Sequence, residues 1–187
     1  LEKHKEAVKI KCRFVDKAKI VGGKVCGKSR LTPKGFGDKH RFQDDNSSPT
    51  CSQILLRILE IHSTRNEWTK FCLDFQTAFF QTTELLDRDI YIEVPENDPA
   101  WKPGGVWRRL VKSVPGTNSA PRAWYNSISA WMKSIGFVTS RYDASVFMFW
   151  DTVDGVAGWQ GIIPLHVDDG RGAGTPQFVK WFRAQVD

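Results

Sequence analysis

Between Val8 and Thr32 the runs VKIKCRFVD (8–16) and KVCGKSRLT (24–32) flank an AKIVGG bend that ends in two glycines, a pattern that predicts a two-stranded hairpin. Residues 35–50, GFGDKHRFQDDNSSPT, hold no apolar run and read as a loop in which Asp44 and Asp45 are solvated. Thr50 followed by Gln53 is a capping-box pattern, and Ile54, Leu55, Ile58, Leu59 and His62 then recur at helical spacing, which predicts a helix over about 51–65. KFCLDF alternates Phe71, Leu73 and Phe75 against Lys70, Cys72 and Asp74, a half-buried strand with Asp74 off the apolar face. DIYIEV (89–94) and VWRRLVKSV (106–114) read as further strands. Pro121 opens an amphipathic helix through Trp124, Ile128, Trp131 and Ile135 that stops at Gly136. SVFMFWDT (145–152) and WQGIIPLHV (159–167) form a second hairpin joined by DGVAG, and Thr175 with Pro176 caps a last helix, QFVKWFRAQV. Hairpins stand where strict β-α-β alternation would need helices, so the expected class is α+β, an antiparallel sheet with helices packed on one face.

Composition narrows the class. At 187 residues, with 41% hydrophobic and 26% charged positions, the chain can bury one substantial domain or two small ones sharing a core, which excludes disorder as a description of the whole. The net charge is +6, and positive residues crowd the first hairpin from Lys9 to Lys34, which suits either a polyanion-binding arm or a solvated basic ribbon. Cys12, Cys26, Cys51 and Cys72 lie far apart without a C-x-x-C pair, which argues against zinc. No signal-peptide pattern and no apolar run of membrane-spanning length occurs, so an intracellular protein, cytoplasmic or nuclear and neither secreted nor membrane-bound, is expected.

The stretch IIPLHVDDGRGAG (162–174) holds the candidate chemistry. Asp74 closes one predicted strand, and Asp168 with Asp169 closes another; if these strands are neighbours, three carboxylates meet at one sheet edge. Such a cluster calls for cations, and Mg2+ or Mn2+ would relieve the repulsion. Two such ions about 3.5–4 Å apart can activate a hydroxyl and stabilise a leaving pyrophosphate. Asp-Asp-Gly is also an ordinary turn sequence, and spacing leaves both readings open.

The runs KSRLTPKGF, SPT, LDFQTAFFQTTELLDRDIYIEVPEN, SAPRAWYNSISAWMKSIGF, YDASVFMF and LHVDDGRGAGT occur in the order of similar runs in copia-type LTR retrotransposon polyproteins. Over roughly residues 10–175 the chain thus resembles their reverse transcriptase. The resemblance implies a fingers and palm architecture: residues 1–50 a fingers-like basic hairpin and loop, residues 51–187 a palm-like region with intervening fingers elements; from the chain's length no thumb or RNase H is expected. It implies that Asp74, Asp168 and Asp169 are catalytic and bind metal, assisted by the backbone carbonyl of Phe75. It also implies that Lys28 and Arg30 hold the incoming triphosphate, and that Phe79 lies under the nucleotide sugar and rejects a 2′-hydroxyl. Arg122, near a helix start where a cation gains nothing from the dipole, reads as structural. The implied cofactor is Mg2+ or Mn2+; the implied partners are dNTP and an RNA or DNA template-primer, while a larger protein assembly is the partner expected under the alternative of an inactive subunit.

The sequence also departs from that pattern. His166 stands where the family usually has Tyr in Y-x-D-D. GRGAG replaces an apolar strand and predicts a looser second half of the hairpin. SVPGTNSAPRAW puts Pro115 and Asn118 in a loop expected to line the nucleotide pocket. Only eighteen residues follow Asp169, too few for a thumb. The alternative expectation is therefore a catalytically inactive reverse-transcriptase-like fragment acting as a nucleic-acid-binding or structural subunit; another metal-dependent nucleotidyl transferase or nuclease is a third.

Overall fold

The structure is a computed structural model that describes residues 7–40, 46–153 and 156–186. The chain divides into two units, one built from residues up to Asn46 together with Phe79–Trp124, the other from Ser47–Ala78 together with Tyr125 onward. In chain order the strands are β1 (Val8–Ile10), β2 (Cys12–Val21), β3 (Lys24–Pro33), β4 (Thr69–Asp74), β5 (Leu85–Glu93), β6 (Trp107–Lys112), β7 (Phe137–Thr139), β8 (Val146–Val153), β9 (Val156–His166) and β10 (Asp169–Gly174). The helices are α1 (Gln53–Arg65), α2 (Ala120–Ser134) and α3 (Pro176–Val186). The α+β class expected from the hydrophobic pattern is the one found. No helix among the described residues is long and apolar enough to cross a membrane.

In the first unit, β2 and β3 form the expected ribbon, turning at Gly22 and Gly23, both at positive φ (57° and 77°), where glycine avoids the Cβ penalty. The predicted first strand is broken at Lys11. Its beginning, β1, leaves the ribbon and pairs parallel with β5, burying Val8 and Ile10 against Ile90, Ile92 and Leu110. The sheets are therefore not purely antiparallel. Beside this core the Arg88 guanidinium donates to both carboxylate oxygens of Asp38, and the pair is 4% and 3% exposed. The Arg88 hydrogen bonds, with the His40 backbone N–H, outweigh burial and hold the Asp38 carboxyl below its ordinary range. A depressed folded pKa gives stability that is full above the unfolded value of about 3.9 and lost as pH falls through the folded one. The melting temperature of the wild type is expected to fall on acidification below about pH 4, and Asp38→Leu with Arg88→Met to remove part of that acid limb.

In the second unit the strand order is β4-β10-β9-β8-β7, all antiparallel. Gly170, Gly172 and Gly174 share one face of β10 with Leu165, Ile163 and Gly161 of β9, by the register. On that face α3 places Phe178 and Phe182, each 1% exposed, beside Phe71 and Phe137. The opposite face carries α1, whose Leu55, Leu59 and His62 line a small apolar cavity with Trp159, Ile162 and Pro164. Helices thus cover both faces, not one as expected. The strand pattern hides this because β9 is apolar on both sides, the mark of a strand buried between two layers.

Local chemistry explains the other differences. Ser52, not Thr50, caps α1: its Oγ accepts from the Leu55 N–H, while Thr50 bridges to His166. The connection between β8 and β9 is shorter than DGVAG, because Val156, Ala157 and Gly158 already belong to β9. GRGAG is no loose segment but a regular strand bonded on both sides. Its missing side chains make room for rings: a Cβ at Gly172 would meet Phe71 Cζ at 2.1 Å, and one at Gly174 would meet Phe178 Cδ1 at 2.3 Å. Asp44 and Asp45 lie outside the described residues.

Candidate active site

The candidate carboxylates come together at one end of the second unit's sheet. β4 and β10 are neighbours, and Asp74 is the register partner of Asp169. Directly opposed residues project to the same face with Cβ atoms about 4.5–5.5 Å apart, so two carboxylates oppose each other there. Asp169 is also the register partner of His166 across the β9–β10 turn. Thr50, His166, Asp169 and Asp74 therefore form one transverse row, the Thr50 position pairing with β9 just beyond the Val146 start of β8. The Cys51 N–H donates to the Leu165 carbonyl at 2.9 Å and seats that segment. Burial, then the nearby Asp143, pushes the Cys51 thiol up to about 11, and this neutral thiol donates to the Ser52 carbonyl at 3.4 Å.

The turn resolves the question raised by Asp-Asp-Gly. It comprises Val167 and Asp168, not Asp168–Gly170: Asp169 already begins β10 and Gly170 lies within it. The Phe75 N–H donates to the Asp168 carbonyl at 3.1 Å and ties the turn to the end of β4. Phe75's own carbonyl, expected to assist a metal, accepts the Ala78 N–H at 3.3 Å. Val167 has φ 60° and Thr77 φ 52°, both β-branched residues in the left-handed region. Such backbone costs about 1–3 kcal/mol each, and these two adjoin the two carboxylate-bearing strand ends. Sequence reasoning missed this strain; a valine placed in a two-residue turn was the one available sign.

Asp74, Asp168, Asp169 and His166 are all exposed. Three carboxylates offer oxygen donors only, the set that suits a hard divalent cation. Among the described residues no group of three or more His, Cys, Asp or Glu side chains is placed to hold a metal ion, so the row brings the carboxylate-bearing positions together without forming a ligand set.

The other predicted site residues belong to the first unit. Register places Arg13, Lys17, Lys19, Lys24, Lys28 and Arg30 all on one face of the ribbon, with Phe14, Ala18, Ile20, Val25 and Leu31 on the other. Phe79 is half-buried in a short 3-10 turn. Asn118, expected at a nucleotide pocket, donates through Nδ2 to the Gly35 carbonyl at 2.9 Å, and the Gly35 N–H donates to the Gly116 carbonyl at 3.0 Å. This loop braces the base of the ribbon: a Cβ at Gly116 would meet the Pro33 carbonyl oxygen at 2.5 Å.

The family profile described as "Reverse transcriptase (RNA-dependent DNA polymerase)" matches residues 1–172. The chain is 30% identical over 129 residues to the retrovirus-related Pol polyprotein from transposon RE2 of Arabidopsis thaliana, covering 65% of the chain and 8% of that polyprotein. It is 30% identical over 141 residues to that from transposon TNT 1-94 of Nicotiana tabacum, covering 74% of the chain and 10% of the polyprotein. The chain thus spans a tenth or less of these relatives. No solved structure matches it significantly.

Proposed function

Because the chain belongs to the reverse transcriptase family, we propose that its carboxylate-bearing sheet edge is the catalytic centre of an RNA-directed DNA polymerase. The observation that carries this reading is the register of Asp74 against Asp169, with Asp168 held in the adjoining turn. On this reading Ser47–Ala78 with Tyr125 onward is the palm, and the ribbon and the elements between Phe79 and Trp124 are fingers. Asp74 and Asp168 hold Mg2+ or Mn2+, with Asp169 and the Phe75 carbonyl in support. When bound, the ions supply charge neutralisation at the triphosphate and a more acidic primer 3′-hydroxyl. Phe79 excludes the 2′-hydroxyl of a ribonucleotide.

Lys28 and Arg30 hold the triphosphate of the dNTP, and their neighbours on the cationic face take the phosphates of the template-primer. Hydrogen bonds to charged groups contribute about 1.5–3 kcal/mol, so Arg30→Ala is expected to raise the KM for dNTP by about tenfold or more. Steady-state kinetics on a primed RNA template checks this. The test of the function itself is Mg2+-dependent extension of a DNA primer on RNA: template-directed products sustain the reading, and their absence beside intact template-primer binding rejects it. The cationic ribbon face favours one rival, a nucleic-acid-binding subunit without catalysis. It predicts salt-sensitive binding that Lys17→Ala with Lys19→Ala weakens, and no extension.

A further inference from the structure

Where β1 and β5 part, the first unit holds a groove of about 410 Å³, within the range of about 300–1,000 Å³ usual for ligand sites. Ile10 and Ile92 are the last register pair of the two strands; beyond them one chain enters the ribbon at Cys12 and the other ends its strand at Glu93. The Lys34 N–H donates to the Lys11 carbonyl at 2.8 Å and closes the base of the ribbon. The Asp98 N–H donates to the Pro95 carbonyl at 2.9 Å, in a turn with Glu96 and Asn97 at its tip. Three cations, Lys11, Arg13 and Lys34, and two carboxylates, Glu93 and Glu96, line this one groove, yet among the described residues no ion pair joins any of them. Burial, then Glu93, pushes the Cys12 thiol up to about 11 while Lys34 acts against the shift, so a carboxylate and an ammonium bear on the same neutral wall. Opposite charges held apart around a space of this size suit a ligand that carries both an anion and a hydrogen-bond donor. Arg13 also begins the cationic face of the ribbon, so the groove continues the surface proposed to take nucleic-acid phosphates. A phosphodiester alone fits poorly there, because the carboxylates repel it and can only accept hydrogen bonds. A ribonucleotide supplies the missing donor, the 2′-hydroxyl that DNA lacks. Deepening the polymerase reading, from which only nucleic acid is taken as the partner, we infer that the groove seats one nucleotide of an RNA strand. Lys11, Arg13 and Lys34 hold its flanking phosphates; Glu93, the half-buried carboxylate, accepts from its 2′-hydroxyl, and Glu96 at the exposed turn repels a misplaced phosphate. This recognition needs no metal ion.

The test is fluorescence anisotropy of the full chain, without metal, against oligo(U), oligo(dU) and 2′-O-methyl oligo(U) of one length. The wild type is expected to bind oligo(U) about tenfold more tightly than either other strand, the loss expected for one hydrogen bond to a charged group. Glu93→Ala is expected to abolish that preference by weakening oligo(U) alone, whereas Glu96→Ala is expected to keep it while tightening all three strands. Lys11→Ala with Lys34→Ala is expected to weaken all three alike. Neither carboxylate is in an ion pair among the described residues, so both variants are expected to fold, which thermal melts verify. Equal wild-type affinity for the three strands overturns the inference whether or not any variant folds, and beside intact primer extension it leaves the polymerase reading standing. A preference that survives Glu93→Ala, or a loss that oligo(dU) shares and that therefore lies on a base, also overturns it. A wild type that binds none of the strands overturns it together with the nucleic-acid reading on which it rests.

Discussion

Asp169→Asn is expected to cut Mg2+-dependent nucleotide incorporation by about a thousandfold or more, roughly 4 kcal/mol of transition-state stabilisation, while leaving the metal-free protein slightly more stable. The two effects share one cause. Asp169 faces Asp74 across adjacent strands, and like charges directly opposed destabilise a sheet by about 0.2–1 kcal/mol. On the proposed reading, the fold therefore carries a local cost that a bound cation would relieve. An amide in place of one carboxylate removes the repulsion, and with it the charge that would hold the cation. Melting curves without metal, set beside incorporation rates, separate this account from a structural one: a variant that lost activity by unfolding would melt lower.

Gly174→Ala is expected to destabilise the second unit by about 3 kcal/mol or more, at the upper end of overpacking effects. The added Cβ would lie 2.3 Å from Phe178 Cδ1 and 2.5 Å from the Gln160 carbonyl oxygen. The ring belongs to one of the most buried side chains, and the carbonyl accepts the Thr175 N–H that seats the start of α3. Neither can yield without opening the layer between β10 and α3. For a chain of this size the shift in melting temperature is on the order of 10 °C. Gly27→Ala is the matched control: nothing lies within 4 Å of the Cβ it would add on the ribbon, so its stability is expected to stay within about 0.5 kcal/mol of wild type. Equal losses in both variants, read by thermal melts, would contradict the packing account.

These glycines show where sequence reading reached its limit. Local patterns carried most elements: alternation around Phe71 and Leu73 located β4, the Gly22-Gly23 pair located the ribbon turn, and the spacing from Trp124 to Ile135 located α2. The Asp74 side chain off the apolar face was legible for the same reason, since strand periodicity is local. The strand formed by GRGAG was not, because its low β propensity is offset by Phe71 and Phe178, one on a neighbouring strand and the other on a helix that follows. The parallel pairing of β1 with β5 joins positions some eighty residues apart and has no local signature. The meeting of Asp74 with Asp169 is likewise a register between distant strands; motif resemblance pointed to it, and strand pairing supplied the geometry. Ser52 and not Thr50 is the cap because α1 starts at Gln53, and Thr50 instead bridges to His166, a partner no window around residue 50 contains.

The most direct test of the central claim, that this sheet edge holds a divalent cation for nucleotidyl transfer, is a thermal melt of the chain with and without Mg2+ and a dNTP, for wild type and Asp168→Asn. Ligand binding to the folded state raises its stability by about 2.7 kcal/mol at a hundred times the dissociation constant, enough for a clear shift. Stabilisation of the wild type, reduced or lost in Asp168→Asn, is the predicted result. No shift in the wild type, or an equal shift in both proteins, would contradict it and leave Val167 and Asp168 as a strained turn between two strands.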